Sequence, residues 1–396
     1  MERIRNMIFI ILYIAVTASC ENTTEEEKKD LYNLIGKNNY KLSLDSITSV
    51  RNSFIFHYQK NKSQEEYFYL LNKNKNIVHI YDVKNNQTAQ KIILQTEGPN
   101  GVGQPEAIYG ENKDSIFVLS PFHYKLFLIN SLGQIINKYS LLDQGIRFNE
   151  KSLSVPQGDF SVLTSGGNDN YIYKFRSNLV FGAYPNLNYA TEDYFKKGKS
   201  GLILNLNDNK IRYVMDYPHT YLEAFQKKFR FPAQFIFTSQ ACNVDSNLCV
   251  ISYPADKYLY VVDLNTTHVS KFETPSRYFT DIKLMSRQPT TPEKDFMHTV
   301  ENHSYGRVYY DRFRKVYLRY ALHPNPLKKD KFDSQPYLIN SIIILDYKFN
   351  KIGETILDKT YQGGFVFFRE DGIYLQKVVK DEDYVHFTRF ELVKSI

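Results

Sequence analysis

The sequence predicts an all-β chain folded as a six-bladed β-propeller, closed by an N-terminal strand that completes the last blade. Three observations predict it: a recurring strand–Asx–turn–strand pattern, a strand-favouring aromatic content, and two chain ends that each lack what the other offers. The 396 residues are 42% hydrophobic and 23% charged, enough to build a substantial core and inconsistent with a disordered chain. Aromatics reach 15%, as 32 Tyr and 28 Phe with no Trp, a mix that suits pleated sheets. Lys and Arg outnumber Asp and Glu by 50 to 43, and the excess is spread along the chain. Such a diffuse surplus predicts no nucleic-acid partner.

The N-terminus comes first. Arg3 and Arg5 precede an apolar run from Met7 to Val16, then Thr17, Ala18, Ser19 and Cys20. A basic start, a short apolar stretch and small residues describe a secretory signal over 1–19, too short to span a bilayer. Thr17-Ala18-Ser19-Cys20 resembles the lipobox of bacterial lipoproteins, which implies lipidation of Cys20 and a membrane partner through that anchor. Residues 20–39 read as an acidic tether and short helix. Thr24 and Glu27 form a capping box, Leu31, Leu34 and Ile35 follow at helical spacing, and Gly36 can stop the helix. The acidic run Glu21–Glu27 resembles the surface-export signal of Bacteroidetes lipoproteins, which leaves surface and periplasmic orientations both open.

The propeller is expected over 40–396. A short apolar strand, an Asp or Asn, a turn and a second strand recur, with landmarks at Asp82, Asn130, Asn205, Asp263, Asp346 and a degenerate Glu391. These stand 48, 75, 58, 83 and 45 residues apart, and a four-stranded blade takes roughly 40–50 residues. The Asx side chain suits the turn because it can accept backbone amides two residues on. Pro121 and Pro254 each lie nine residues before a landmark and end the strands 115–119 and 249–253. Earlier strands are expected at 106–109 and 234–237, giving four per copy. The last copy turns at Glu391 with no room for a fourth strand, while Tyr40–Leu44 alternates polar and apolar residues without a partner. Joining the two closes the ring and hides the edges. Seven blades is the alternative, since the longer gaps could hold a divergent copy; a β-sandwich pair is the other.

The stretch Glu97-Gly-Pro-Asn-Gly-Val-Gly-Gln104, followed by Asn112-Lys-Asp-Ser-Ile-Phe-Val118, together with the lipobox, makes the chain resemble the Bacteroidetes lipoproteins of domain-of-unknown-function family 4221. That resemblance implies a TolB-type six-bladed propeller in the cell envelope, lipid-anchored to the outer membrane, and brings no activity with it.

Chemistry is sparse. In Cys242-Asn-Val-Asp-Ser-Asn-Leu-Cys249 a two-residue Asp245-Ser246 turn would place the two cysteines opposite each other, so a disulfide is expected. Gly98, Gly101 and Gly103 fit neither phosphate-loop pattern and read as a tight crossover between blades. Crossovers and middle turns share one face of a propeller, so 97–104 should sit beside Ser120–His123. Glu97, Asn100, Gln104 and His123 are ligand-binding candidates there. In the insertion 217–231, Thr220 and Glu223 form a second capping box, with Leu222, Phe225 and Phe229 on one helical face. It offers His219, Tyr221 and Arg230 as further candidates, or simply packs on the rim. His298 and His303 are misplaced for H-E-x-x-H, no G-x-S-x-G occurs, and 164–167, 168–170 and 207–209 read as turns. No metal or cofactor is expected, and catalytic residues stay unassigned.

The reading is a membrane-anchored, non-catalytic propeller that binds a ligand, glycan, peptide or envelope protein at its loop-bearing face. The alternatives are a cell-surface hydrolase or lyase acting on polysaccharide, and a structural part of an envelope assembly.

Overall fold

The structure is a computed structural model that describes residues 30–395 apart from 49–52, 60–64, 143–147, 150–151, 157–160, 164–171, 186, 188, 190, 228, 287–290, 329–335, 362–363 and 382. Six antiparallel sheets follow one another along the chain. Blade 1 spans Ser53–Gln59 to Gln87–Ile93, and blade 2 Ala107–Asn112 to Ile135–Ser140. In blade 3, Ser161–Leu163 and Tyr173–Phe175 both pair with Asn178–Pro185, ahead of Lys199–Asn205 and Ile211–Asp216. Blade 4 runs from Ser239–Asn243 to Val269–Glu273 and blade 5 from Ser304–Asp311 to Lys351–Ile356. Blade 6 takes Val366–Arg369, Gly372–Lys377 and Tyr384–Lys394 from the C-terminus and its outer strand, Tyr32–Ser43, from the N-terminus.

The closing strand is where the ends predicted it to be, with Tyr40 opposite Phe387 and Leu42 opposite Val385. Its length differs from expectation. Residues 32–36 are strand rather than helix, because Leu34 pairs with Leu392 and is buried, and the pairing with Tyr384–Lys394 outweighs helical spacing. The propeller therefore starts at Tyr32, while Thr24 and Glu27 lie outside the described residues. Glu391 likewise makes no turn: it pairs with Ile35 inside a strand that runs to Lys394.

The Asx landmarks act as read. Asp82 accepts from Asn85 N (3.0 Å), Asn130 from Leu132 N (3.0 Å), Asn205 from Asn207 N (2.8 Å), Asp263 from Asn265 N (2.8 Å) and Asp346 from Lys348 N (2.8 Å). Among the described residues the long gaps hold no seventh blade. The first contains a ribbon of Phe148–Asn149 with Ser152–Pro156, and the second a helix and a long loop within blade 5. One expected strand is absent: Ala233–Ile236 forms a 3-10 turn after Pro232, and Ser239–Asn243 is the inner strand of blade 4.

Cys242 and Cys249 are opposite each other and disulfide-bonded, buried among Phe175, Val180 and Ile203 of blade 3. Their turn is longer than two residues. Val244–Ser246 is a 3-10 turn ended by Asn247 in the left-handed region (φ 57°), with the Asn243 side chain accepting from Ser246 N.

Candidate functional site

One face of the ring carries the blade-to-blade crossovers and the turns between second and third strands. Three helices lie in these segments: α1 (Glu192–Lys197), α2 (His219–Gln226) and α3 (Pro292–Glu301). A cavity of about 670 Å³ lies between blades 4 and 5 and reaches this face. The crossover into blade 4 supplies Phe235 and Phe237 to its wall, and the long loop of blade 5 supplies Pro336 and Tyr337. Tyr305, Arg307, Tyr320 and Leu322 come from the first two strands of blade 5.

Local sequence rules fix the mouth. Thr291 caps α3 by accepting from Lys294 N (3.3 Å), Pro292 opens the helix, and Glu293 and Asp295 sit in its first turn. Asp295 is buried and takes both ends of the Arg230 fork, with Nη1 to Oδ2 at 3.1 Å and Nη2 on Oδ1. This braces α3 against the small ribbon of Phe229–Arg230 and Met285–Ser286. One turn on, Thr299 Oγ1 donates to Gln234 Oε1 (3.2 Å), joining α3 to the 3-10 turn across the mouth.

Arg319, fully buried, holds the floor. Nε donates to Ser252 Oγ (3.0 Å), Nη1 to Lys257 O (2.9 Å) and Thr274 Oγ1 (2.8 Å), and Nη2 to Asp256 O (2.6 Å). Its guanidinium lies 3.8 Å from the centre of the Tyr305 ring. Burial lowers its pKa to about 10, so it keeps its proton at neutral pH. Five donors in a rigid fork suit a site made mostly of carbonyls, which an ammonium could serve only in part.

Arg307 owes its position to a bulge. Tyr305 pairs with Ala321 and Val308 with Arg319, so Gly306 and Arg307 together stand opposite Tyr320. Such a bulge re-aims a side chain. Arg307 Nη1 donates to Gly364 O (3.2 Å), the carbonyl that also accepts from Tyr309 Oη (3.3 Å). A Cβ on Gly306 would fall 2.6 Å from Leu322 Cδ1, so a larger residue there would push the tip of Leu322 aside. Among the described residues that line the cavity there is one guanidinium, several hydroxyls and amides, and no carboxylate or imidazole. Burial raises the Tyr320 phenol, which therefore stays a neutral hydroxyl at physiological pH. The lining can hold an apolar body and a polar or anionic group.

Beside the cavity, His323 Nε2 meets Ser341 Oγ (2.9 Å), which donates to Glu354 Oε1 (2.7 Å). Ser276 Oγ, Arg277 N and Lys351 Nζ also bond Glu354, at 2.7, 2.8 and 2.7 Å. A nucleophilic triad places the imidazole between serine and carboxylate; here the serine is in the middle, and Ser341 and Glu354 are buried. These bonds depress the Glu354 carboxyl against the opposing effect of its burial, and burial lowers His323 to about 4. The group is a structural network. Among the described residues no cluster of three or more His, Cys, Asp or Glu is placed to hold a metal, and no helix is long and apolar enough to cross a membrane.

The structure does not gather the sequence candidates into one place. Glu97, Asn100, Gln104 and His123 lie where blades 1 and 2 meet, across the ring from the cavity. There Ser120 Oγ donates to Gln104 O (3.4 Å) and contacts His123 Nδ1 (2.9 Å), so 97–104 and 120–123 are neighbours. Gly103 (φ 70°) leaves room for the imidazole, because a Cβ would come 2.1 Å from His123 Cε1. Asn100 is spent on Ile135 N (3.1 Å).

In the insertion the capping box does not form. Pro218 occupies the cap, Thr220 Oγ1 donates to Asp256 Oδ2 (3.1 Å), and Glu223 accepts from exposed His219 (2.8 Å). Phe225 is buried, whereas Phe229 is exposed in the ribbon. Tyr221 is fully buried, donating to Phe235 O (3.1 Å) and accepting from Ala255 N (3.2 Å). Tyr221 and Arg230 thus act behind the cavity wall, placing Phe235 and α3, rather than facing a ligand. The sequence reading missed Arg307 and Tyr305. Their only sequence signal is a glycine inside an otherwise continuous strand, the mark of a bulge.

A crystal structure of a DUF4221 member from Bacteroides vulgatus superposes with a TM-score of 0.72 at 21% identity, covering 93% of this chain and 100% of that one. A Bacteroides fragilis protein named as an exported protein matches at 10% identity and TM-score 0.49, covering 91% and 96%. A virginiamycin B lyase variant from Staphylococcus aureus matches at 8% and 0.44, covering 90% and 99%. No curated protein matches the chain. The profile of the family described as a domain of unknown function, DUF4221, matches residues 32–356, beginning at the first residue of the closing strand, and the chain belongs to that family.

Proposed function

We propose that this chain is a membrane-anchored, non-catalytic propeller that binds a ligand in the cavity between blades 4 and 5. The cavity carries the reading: its volume is in the range of small-molecule sites, about 300–1,000 Å³, and its lining combines aromatic faces with a few fixed polar groups. Without a carboxylate or imidazole among the described lining residues, the site is suited to holding a molecule rather than moving its protons. The screen that tests it runs small molecules, glycans and peptides against the purified chain by ligand-detected NMR. Leu338→Trp, which fills the cavity from a half-buried position, should abolish the strongest hit with little change in melting temperature, while His123→Ala across the ring leaves it intact. A hit indifferent to Leu338→Trp would remove the cavity from the account.

The anchor rests on the sequence: Arg3, Arg5, the apolar run and Thr17-Ala18-Ser19-Cys20. Lipid on Cys20 would hold the ring at the outer membrane, with its orientation set by the segment before Tyr32. Cys20→Ser should shift the protein from the membrane to the soluble fraction of the envelope. Unchanged membrane association would refute the anchor.

A further inference from the structure

We propose that the ring rests on an anionic lipid surface through two turns of blade 5, with the mouth of the cavity turned away from the bilayer. This rests on the reading of Cys20 as a lipid anchor. Two observations carry it: where the chain enters the fold, and what stands beside that entry. The crossovers and the second-to-third turns occupy one face of the ring, so the first-to-second and third-to-fourth turns occupy the other. Tyr32 opens the outer strand of blade 6, at the place where a third-to-fourth turn leads in the other blades. The chain therefore enters on the face opposite the crossovers. There Leu31 N donates to Ile352 O (2.9 Å), Ser395 N donates to Leu31 O (2.8 Å), and Asp30 pairs with Arg277. Leu31 itself is 54% exposed. It stands eleven positions after Cys20, a stretch that reaches roughly 40 Å when fully extended. A lipid on Cys20 thus keeps this face close to the headgroups.

Blade 5 borders that entry, since Ile352 belongs to its outer strand. Its two turns on this face, 312–315 and 346–350, carry Arg312, Arg314, Lys315 and Lys348. The carboxylates among them are Asp311, paired with Arg314 at 2.7 Å, and Asp346, which accepts from the amides of Lys348 and Asn350 at 2.8 Å each. Arg314 also donates to the carbonyls of Arg369 and Glu370, which fixes the first turn against blade 6. Lys315 and Lys348 are exposed, and among the described residues neither is in an ion pair. Tyr347 is 60% exposed, with Lys348 Nζ 5.5 Å from its ring centre. Both turns stand on one aromatic base, Tyr310 against Tyr317 at 4.8 Å and Tyr317 against Phe349 at 4.9 Å. A tyrosine among lysines suits a headgroup layer, where the ring lies at the interface and the cations meet phosphates. The neighbouring turns have the opposite sign, with Asp245 in blade 4 and Glu370 and Asp371 in blade 6. The attraction therefore falls on blade 5 and not on the whole face. The tether, with Glu25, Glu26 and Glu27, adds nothing to it.

The test uses the purified Cys20→Ser chain, which carries no lipid, and sedimentation at low salt with vesicles of phosphatidylglycerol and phosphatidylethanolamine or of phosphatidylcholine alone. The chain should partition to the anionic vesicles only and be released by added salt. Lys315→Gln with Lys348→Gln should lower that partition about 25-fold, at about fivefold per lysine near an anionic surface. Lys75→Gln with Lys380→Gln removes the same charge from exposed turns of the crossover face and should leave it nearly unchanged. Tyr347→Ser, at an exposed position, should lower it several-fold and serves if the lysine pair folds poorly. Equal losses from the two double variants would reduce the attraction to net charge and overturn the inference, as would indifference to anionic vesicles. Binding that appears only after Glu25, Glu26 and Glu27 are changed to Gln would give the lysines to the tether and overturn it as well. The anchor is read separately. A parent chain that stays in the membrane fraction while the Cys20→Ser chain ignores vesicles keeps the anchor and loses the contact. Lysine-dependent vesicle binding together with unchanged membrane association of Cys20→Ser in cells keeps the contact and loses the anchor.

Discussion

The junction between blades 6 and 1 and the junction between blades 4 and 5 solve the same packing problem in opposite ways. At the first, Phe68 packs edge-on against Phe367 (4.9 Å between ring centres) and stacks on Phe387 at 6.1 Å, with Phe365 closing the group. All four rings are buried. At the second, a buried guanidinium ties Arg319 to the carbonyls of the neighbouring blade, and above it the chain leaves a cavity. The two chain ends meet inside blade 6, along the ladder of Tyr32–Ser43 with Tyr384–Lys394, and the aromatic junction packs blade 1 against the blade that this ladder closes. The polar junction gives part of its interface to a shaped site. Non-directional burial suits closure, because it tolerates small shifts. A fork of hydrogen bonds suits a site, because it fixes geometry.

Conservative substitutions should expose the difference. Arg319→Lys keeps the charge but loses the fork, leaving buried Ser252 and Thr274 short of their donor; the expected cost is roughly 2–4 kcal/mol. Phe387→Leu keeps an apolar side chain of similar reach and should cost only about 1–1.5 kcal/mol. Urea denaturation of the two variants beside the parent chain ranks them. If Phe387→Leu proved the more damaging, the closing junction would depend on ring geometry rather than on buried area.

The same contrast explains what could be read from the sequence. Periodic, locally determined features were legible: the Asx turns that accept their own backbone amides, the strand-ending prolines, and the unmatched strand Tyr40–Leu44. Features decided by long-range pairing were not. Residues 32–36 carry a helical pattern, yet become strand because a partner 354 to 362 positions away supplies the ladder (Tyr32 with Lys394, Gly36 with Phe390). Gln234–Phe237 reads as a short apolar strand, yet Ala233–Ile236 forms a turn held by Tyr221. The side chains that line the cavity were hidden in the sequence for a related reason. Polar residues in conspicuous loops, such as Arg230 and Tyr221, were spent on bracing. Arg307 lies inside a strand, where only the bulge gives it a role. Sequence displays which groups are present, and pairing decides which of them face a cavity.

The smallest expected effect is a pH dependence confined to the polar junction. His323 packs against His303 (5.5 Å between ring centres), Phe279 and Tyr278, and bonds to Ser341, with Glu354 beyond. Burial and the neighbouring imidazole lower its pKa from 6.5 to about 4, against the pull of Glu354, and His303 is lowered too, by burial and by Lys283. A base with a depressed folded pKa takes its proton first in the unfolded chain. Its contribution is therefore intact above pH 6.5 and falls as the pH drops toward 4, by about 1 kcal/mol between pH 6.5 and 5.5 for His323 alone. His79, lowered by burial in blade 1 with Asp45 opposing, moves stability the same way and must be separated out. His323→Asn does so, since it keeps a partner for Ser341 without a proton to gain. Stability measured at pH 7.5, 6.5 and 5.5 should fall more steeply in the parent than in this variant, and parallel slopes would show that the imidazole is not excluded from protonation by its surroundings.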